Sequence, residues 1–386
     1  MTAVASGAQS KASAERLAVS AIFVACGIGT GAWAASIPLL KANLALSDGE
    51  LGIGLFGFAA GSVASMQVAA YLTRLIGTAA ATRASAIVFA LAIMLPAFGV
   101  NLASFTAMTF VFGATMGLID VTMNVYASEL ERRWGAAIMS SFHAGFSGGG
   151  LAGAALGAAL TFAGPFVMLA GGSLVVAVLT VSAWRFLRVA EVHADAHAHG
   201  SRRLGAVMLA LCVAAFLCFM CEGAMADWTA VYLMTVAGVS VSAAVSGFAA
   251  FSLTMLVGRL VGDACVRQLG RARVVGLGGA LAAAGLALAV AMPTLVPASI
   301  GFALVGVGLS NVVPVVFSAS SNHGSSPAAG LAMAATAGYA GFLIGPVIIG
   351  FVAQGVGLRL AIALLIACAG TVALTGIALR AKTARS

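Results

Sequence analysis

The stretch VAEVHADAHAHGSRR, residues 189–203, is the longest polar interruption in a chain of 386 residues. It holds three of the five histidines, two acids and two arginines. On either side the sequence returns to long apolar runs. Breaks at charged or turn-forming residues delimit six runs before it, at about 17–40, 51–72, 84–100, 105–128, 136–162 and 166–186. Six more follow it, at about 204–236, 245–266, 274–292, 296–320, 328–354 and 358–379. A bilayer core needs about 20 apolar residues of helix, so each run has the length of one crossing. Transmembrane β-strands would alternate in polarity residue by residue, and these runs do not. The expected architecture is an all-α membrane protein of twelve transmembrane helices in two six-helix bundles, at 17–188 and 204–380. Residues 189–203 link the bundles, and tails occupy 1–16 and 381–386.

Composition agrees with that reading. Hydrophobic residues make up 62% of the chain and charged residues 8%, with a mean hydropathy of +1.10. A soluble domain carries about 25% charge, so a water-facing surface is excluded, and with it soluble enzymes, nucleic-acid binders and secreted disulfide scaffolds. The 48 glycines suit close approach of helix backbones in lipid. The six cysteines all fall inside apolar runs and are read as small buried residues. The Ser/Ala-rich start runs straight into an apolar stretch too long for the core of a signal peptide, so no cleavable leader is expected.

The net charge of +8 follows from orientation. With the N-terminus in the cytoplasm, 17 of the 19 Lys and Arg residues fall at cytoplasmic helix ends, and only Lys41 and Arg359 lie opposite. By the positive-inside rule both termini are expected in the cytoplasm. The basic balance is thus topological, and no nucleic-acid partner is expected.

The two halves repeat weakly. A shift of 195 residues places Trp33 on Trp228, Gly52 on Gly247 and Phe56 on Phe251. A shift of 196 places His143 on Tyr339, Gly145-Phe146 on Gly341-Phe342, and Gly149 on Gly345. A shift of 191 places Gly117-Leu118 on Gly308-Leu309, and so Asp120 on Asn311. A shared offset near 195 marks duplicated six-helix halves.

These features resemble the major facilitator superfamily. Its hallmark loop, G-x-x-x-D-R-x-G-R-R, has a stretched counterpart in Gly258-Arg259-Leu260-Val261-Gly262-Asp263 followed by Gly270-Arg271-Ala272-Arg273. In the first half only Tyr71-Leu72-Thr73-Arg74-Leu75-Ile76-Gly77 remains, with Thr73 at the acidic position. The resemblance implies that Arg74, Gly258, Arg259, Gly262, Asp263 and Arg271 belong to a conformational latch. The segments IDVTMNVYASELERR (119–133), SFHAGFSGGG (141–150), EGAMADWTAVYL (222–233) and GYAGFLIGP (338–346) are similar to the YbjJ-like branch of bacterial inner-membrane facilitators, neighbours of fucose-permease-type transporters, which implies a bacterial inner membrane for this chain. Gly341-x-x-x-Gly345-Pro346 resembles the antiporter motif, but that motif belongs to the fifth helix, which here reads SGGGLAGAALG without proline.

Three of the eleven acids, Asp120, Glu222 and Asp227, lie within apolar spans; Glu15 is assigned to the N-terminal tail and Glu129 to a helix end. A charged carboxylate near the bilayer centre costs about 2.5–3.5 kcal/mol, so such residues face a cavity, find a partner or carry a proton. The hairpin of helices four and five brings Asp120 and His143 to similar depth, and Asn124 lies one turn from Asp120. A carboxylate facing an imidazole titrates as a coupled pair suited to proton transfer; a fixed helix clamp is the competing reading. Glu222 and Asp227, five residues apart, point about 140° apart, so one is expected to face the solute path and the other to clamp a neighbour, with Glu222 preferred for the path. Trp33, Gln67, Asn124, Tyr126, Asp227, Trp228, Tyr232, Asn311 and Tyr339 are the remaining cavity candidates. No Lys or Arg occupies the middle of any span, which disfavours anionic solutes.

Cys218 and Cys221 form CxxC without a second ligand pair and are read as packing residues. His193, Asp195, His197 and His199 are read as a solvated loop, so no metal is expected. The functional expectation is a monomeric secondary carrier for a neutral or cationic small molecule, embedded in the lipid bilayer. It would work by alternating access, with Asp120, His143 and Glu222 reading a proton gradient in place of any cofactor. Proton-antiport export of lipophilic compounds is the alternative. An enzyme is not expected, since no Walker, HExxH or GxSxG pattern is present.

Overall fold

The computed structural model describes residues 2–134, 138–187, 205–320 and 327–383. Among them the chain is helical throughout, with no strand. The helices are α1 (Thr2–Asn43), α2 (Asp48–Ile76), α3 (Thr78–Ala92), α4 (Leu102–Trp134), α5 (Met139–Leu160), α6 (Gly164–Trp184), α7 (Ala206–Thr235), α8 (Val241–Ala244), α9 (Ser246–Leu269), α10 (Arg271–Ala291), α11 (Leu295–Leu309), α12 (Val312–Ser320), α13 (Pro327–Val356) and α14 (Leu358–Thr383). The linker at 189–203 and the last three residues of the C-terminal tail lie outside the described residues.

Eleven segments among the described residues are long and apolar enough to cross a membrane. One of them, Ser141–Trp184, runs for 44 residues, about 66 Å of helix at 1.5 Å per residue against a core of about 30 Å. It is interrupted at Gly164, whose φ of +85° suits glycine, and it therefore consists of two helices, α5 and α6. Gly77 and Gly270, at φ +80° and +78°, make the corresponding breaks between α2 and α3 and between α9 and α10. Both sit in the two stretches that resemble the hallmark loop.

The chain divides into two compact units. One comprises residues 1–40 and 57–194; the other comprises 41–56 and 195–386. In the first, α1 crosses α5 with almost no side chain between the backbones. A Cβ on Gly27 would collide with the carbonyl oxygen of Phe146, one on Gly31 with that of Gly150, and one on Gly153 with that of Ile28. The glycines of SFHAGFSGGG are thus accounted for by close packing. Helices α3, α4 and α6 are tied by short hydroxyl bonds: Thr82 donates to Thr122 O at 3.1 Å and Ser173 to Ala90 O at 2.7 Å. Such interhelical bonds are worth about 0.6 kcal/mol on average in membranes.

In the second unit α7 packs on α13, α10 on α14 and α11, and α9 on α11. Residues 41–56 belong here because α2 begins against α13: a Cβ on Gly52 would lie 2.9 Å from Pro346 O and 3.2 Å from Gly350 Cα. Lys41 pairs with Asp48 across the turn into α2.

The internal repeat recurs in the contacts of each unit. Gly149 meets Val24, and Gly345 meets Met220; Gly145 meets Ser20 and Val24, and Gly341 meets Phe216. Every one of these second-unit partners lies 196 positions after its counterpart. The α1–α5 crossing and the α7–α13 crossing are the same construction.

Candidate functional site

In the second unit, α7 carries both span acids. Glu222 Oε2 lies 3.8 Å from Arg259 Nη2 of α9, and the two side chains are 16% and 22% exposed. The Cys218 thiol, one turn earlier on α7, donates to Glu222 Oε1 at 3.6 Å. Arg259 stands ten residues before the end of α9, about 15 Å along the axis, and its long side chain carries the charge to the acid. No Lys or Arg is expected in the middle of a span, but a base whose Cα lies toward one end still meets a span acid. Arg259 sits near the end of its span, as its position in the chain indicated, but the guanidinium does not stay there.

Asp227 is placed differently. It is 8% exposed and has no hydrogen bond or ion pair among the described residues. Phe216, Met220 and Gly223 form the face of α7 that meets α13, and Asp227, one turn beyond Gly223, continues that face. Under the 196-residue offset it occupies the place of Gly31 in the first unit. Helix α13 contains no charged residue. Glu222 thus has Arg259 and Cys218 beside it, and Asp227 shares neither contact among the described residues.

Trp228 and Tyr232 are fully buried. The Tyr232 hydroxyl donates to Ala289 O at 2.8 Å, and its ring meets Phe302 edge-on at 5.9 Å. Trp33 is likewise buried, among Phe58, Phe105 and Phe112 at centroid distances of 6.0, 6.4 and 5.7 Å. Neither indole N–H has a partner in the described residues. In this structure these three rings fill helix contacts. Tyr339, which is half-buried, tilts against Phe219 at 5.7 Å. Asn311 sits in the break between α11 and α12, where its amide donates to Gly258 O at 2.9 Å. Gly258 and Gly262 give that break its room, since a Cβ on either would collide with Ser310 or Asn311. Arg271 is exposed at the start of α10. The side chains of Gln67, Arg74 and Asp263 lie outside the described residues.

In the first unit, Asn124 donates from Nδ2 to Asp120 O at 2.8 Å and to Asp120 Oδ1 at 3.2 Å, and Asp120 is within electrostatic reach of the Cys26 thiol. The His143 ring meets Phe23 edge-on at 5.4 Å. Phe23 and Cys26 are three residues apart on α1, so both Asp120 and His143 address one face of that helix.

One buried site was missed in the sequence. Glu15, assigned to the tail, is 1% exposed and lies within α1. Tyr126 Oη donates to it at 2.6 Å, and Arg133 holds it with two bonds, Nη2 to Oε1 at 2.8 Å and Nη1 to Oε2 at 3.2 Å. The bond to Glu15 holds the Arg133 guanidinium above its ordinary range. The signal was present: Glu15 stands four residues before Val19 and seven before Ile22, on the stripe that α1 buries. Tyr126, taken as a cavity candidate, is a partner in this cluster.

A chain of stacked apolar helices, with ion pairs and acids held between them, is that of a polytopic membrane protein. The family model of the Major Facilitator Superfamily matches residues 18–339, and the chain belongs to that superfamily. It is 40% identical over 342 residues to an uncharacterized MFS-type transporter of Yersinia pestis, covering 86% of this chain and 87% of that one. Among solved structures, the nucleoside transporter NupG superposes with a TM-score of 0.77 at 12% identity, covering 95% of this chain and 99% of that one. A D-xylose–proton symporter superposes with a TM-score of 0.71 at 15% identity, covering 94% and 95%. At such identities these structures share the fold with the chain. The protein is a multi-pass membrane transporter and not an enzyme.

Proposed function

We propose that the protein is a secondary active carrier that moves a neutral, hydroxyl-bearing small molecule by alternating access, driven by a proton gradient. The observation that carries this reading is the Glu222–Arg259 pair, with 3.8 Å between charged atoms on two different helices. A pair so loosely closed offers a carboxylate acceptor and a guanidinium donor side by side, and its charges balance. Sugar hydroxyls can bond to both without bringing in charge of their own. A solute anion would have to compete with Glu222 for Arg259. The structural neighbours, a nucleoside transporter and a D-xylose–proton symporter, are compatible with a polyol-bearing solute.

On this reading α5 and α6 cross separately, which makes twelve crossings, and the 17-to-2 division of bases sets both termini in the cytoplasm of a bacterial cell. Two six-helix halves rock about the site as a monomer. Asp120, held by Asn124, and His143 serve as the proton-handling groups of the first half, and Glu222 exchanges between Arg259 and solute in the second. Asp263, Arg271 and Arg74 form the latch. A thermal-shift screen of the purified protein against sugars, polyols, nucleosides, amino acids and cationic drugs tests the solute class. A ligand at 100 times its Kd stabilises by about 2.7 kcal/mol. Stabilisation by polyol-bearing compounds is expected; stabilisation by lipophilic cations alone would favour export instead.

A further inference from the structure

The end of α6 carries a feature outside the Glu222–Arg259 and Asp120–His143 groups. Val181, Ser182, Trp184, Arg185 and Phe186 line a mostly apolar cavity of about 560 Å³. Arg83 of α3 lays its guanidinium over the Trp184 ring, 5.5 Å from the centroid, and donates from Nη2 to Leu187 O. Arg185 lies over Phe186 at 4.7 Å. Neither arginine has a carboxylate within ion-pair distance among the described residues, and Arg83 Nε has no hydrogen-bond partner there.

The surface leading to this spot is apolar. Helices α3 and α6 pack together and run antiparallel, and Val88 and Leu91 of α3 and Leu174, Val178 and Val181 of α6 are all exposed. In a membrane protein that strip faces acyl chains. It ends at two guanidiniums with no counter-charge among the described residues, flanked by an indole of the kind that settles at headgroup level. Basic pockets at the ends of transmembrane helices bind anionic headgroups.

We propose that this is a binding site for one anionic phospholipid. Arg185 and the outward edge of Arg83 hold the phosphate, Trp184 sits beside the glycerol, and an acyl chain lies along Val181, Val178 and Leu174. Charge complementarity selects this occupant: an uncharged or zwitterionic headgroup would leave the two guanidiniums without net compensation.

Native mass spectrometry of the full chain, titrated with phosphatidylglycerol or phosphatidylcholine, tests it. The wild type should retain one phosphatidylglycerol with a preference of about tenfold over phosphatidylcholine. Arg83→Gln/Arg185→Gln should lose that preference, and Arg83→Lys/Arg185→Lys should keep most of it. Where the double glutamine variant does not yield a monodisperse protein, Arg185→Gln alone carries the test, because that side chain is exposed. Equal retention of both lipids by the wild type would mean ordinary boundary lipid and would overturn the proposal. So would displacement of the bound lipid by millimolar inorganic phosphate, which would make this a free-phosphate site. Unchanged selectivity in the glutamine variants would overturn it as well.

Discussion

Arg259 of α9 and Glu222 of α7 meet at 3.8 Å, and both side chains are mostly withdrawn from their surroundings. Removing one partner of a buried pair leaves the other uncompensated, at a cost of about 3–5 kcal/mol, which partial exposure reduces here to about 1–3. Glu222→Gln and Arg259→Gln should therefore each lower the unfolding temperature in detergent. The double variant should regain most of that stability, as expected for a coupled pair, while still failing to transport. Single variants as stable as the wild type would mean the two groups do not interact.

The Glu15–Tyr126–Arg133 cluster ties the start of α1 to the end of α4. Hydrogen bonds to charged groups contribute about 1.5–3 kcal/mol. Glu15→Gln should cost roughly that much, and Tyr126→Phe about 1 kcal/mol, measured by thermal unfolding. If Glu15→Gln behaved as a substitution in a solvated tail, with no loss, the cluster would have no role in stability.

The spans were legible because lipid imposes a length and a composition on every crossing, and the glycine breaks fell at the ends of the apolar runs. Side-chain reach was less legible. Glu15 was placed in the tail because the apolar run begins at Leu17, yet α1 stays helical below that point and turns Glu15 onto its buried stripe. Arg259 is counted among the bases at helix ends because the apolar run breaks off soon after it, yet α9 continues to Leu269; a side chain that pairs with Glu222 leaves no mark in hydropathy. The hairpin midpoint brought Asp120 and His143 to one level, but could not say that each would address the face of α1 that carries Phe23 and Cys26.

At the α1–α5 crossing a methyl group has nowhere to go. Gly31→Ala and Gly153→Ala each drive a Cβ into a carbonyl oxygen of the facing helix, and overpacking costs about 1–3 kcal/mol. Both should lower the unfolding temperature. Gly370→Ala, with nothing within 4 Å of the new carbon, should not, because alanine is the better helix former. Equal effects at all three positions would contradict the close crossing.

Asp227 is buried, 8% exposed, without a hydrogen-bond partner among the described residues. Asparagine there removes no favourable bond, so Asp227→Asn should match or exceed the wild type in stability. This is the opposite of Glu15→Gln, measured in the same assay. A loss of 2 kcal/mol or more, roughly the value of a charged hydrogen bond, would reveal a partner.

Gradient-driven accumulation in proteoliposomes tests the central claim most directly. Purified wild-type protein, given an imposed proton gradient and a labelled solute identified by thermal shift, should accumulate that solute. A protonophore should abolish the accumulation, and Arg259→Gln and Glu222→Gln should each reduce it at least about tenfold, equivalent to 1.4 kcal/mol. Accumulation unaffected by the protonophore, or undiminished in both variants, would contradict the account.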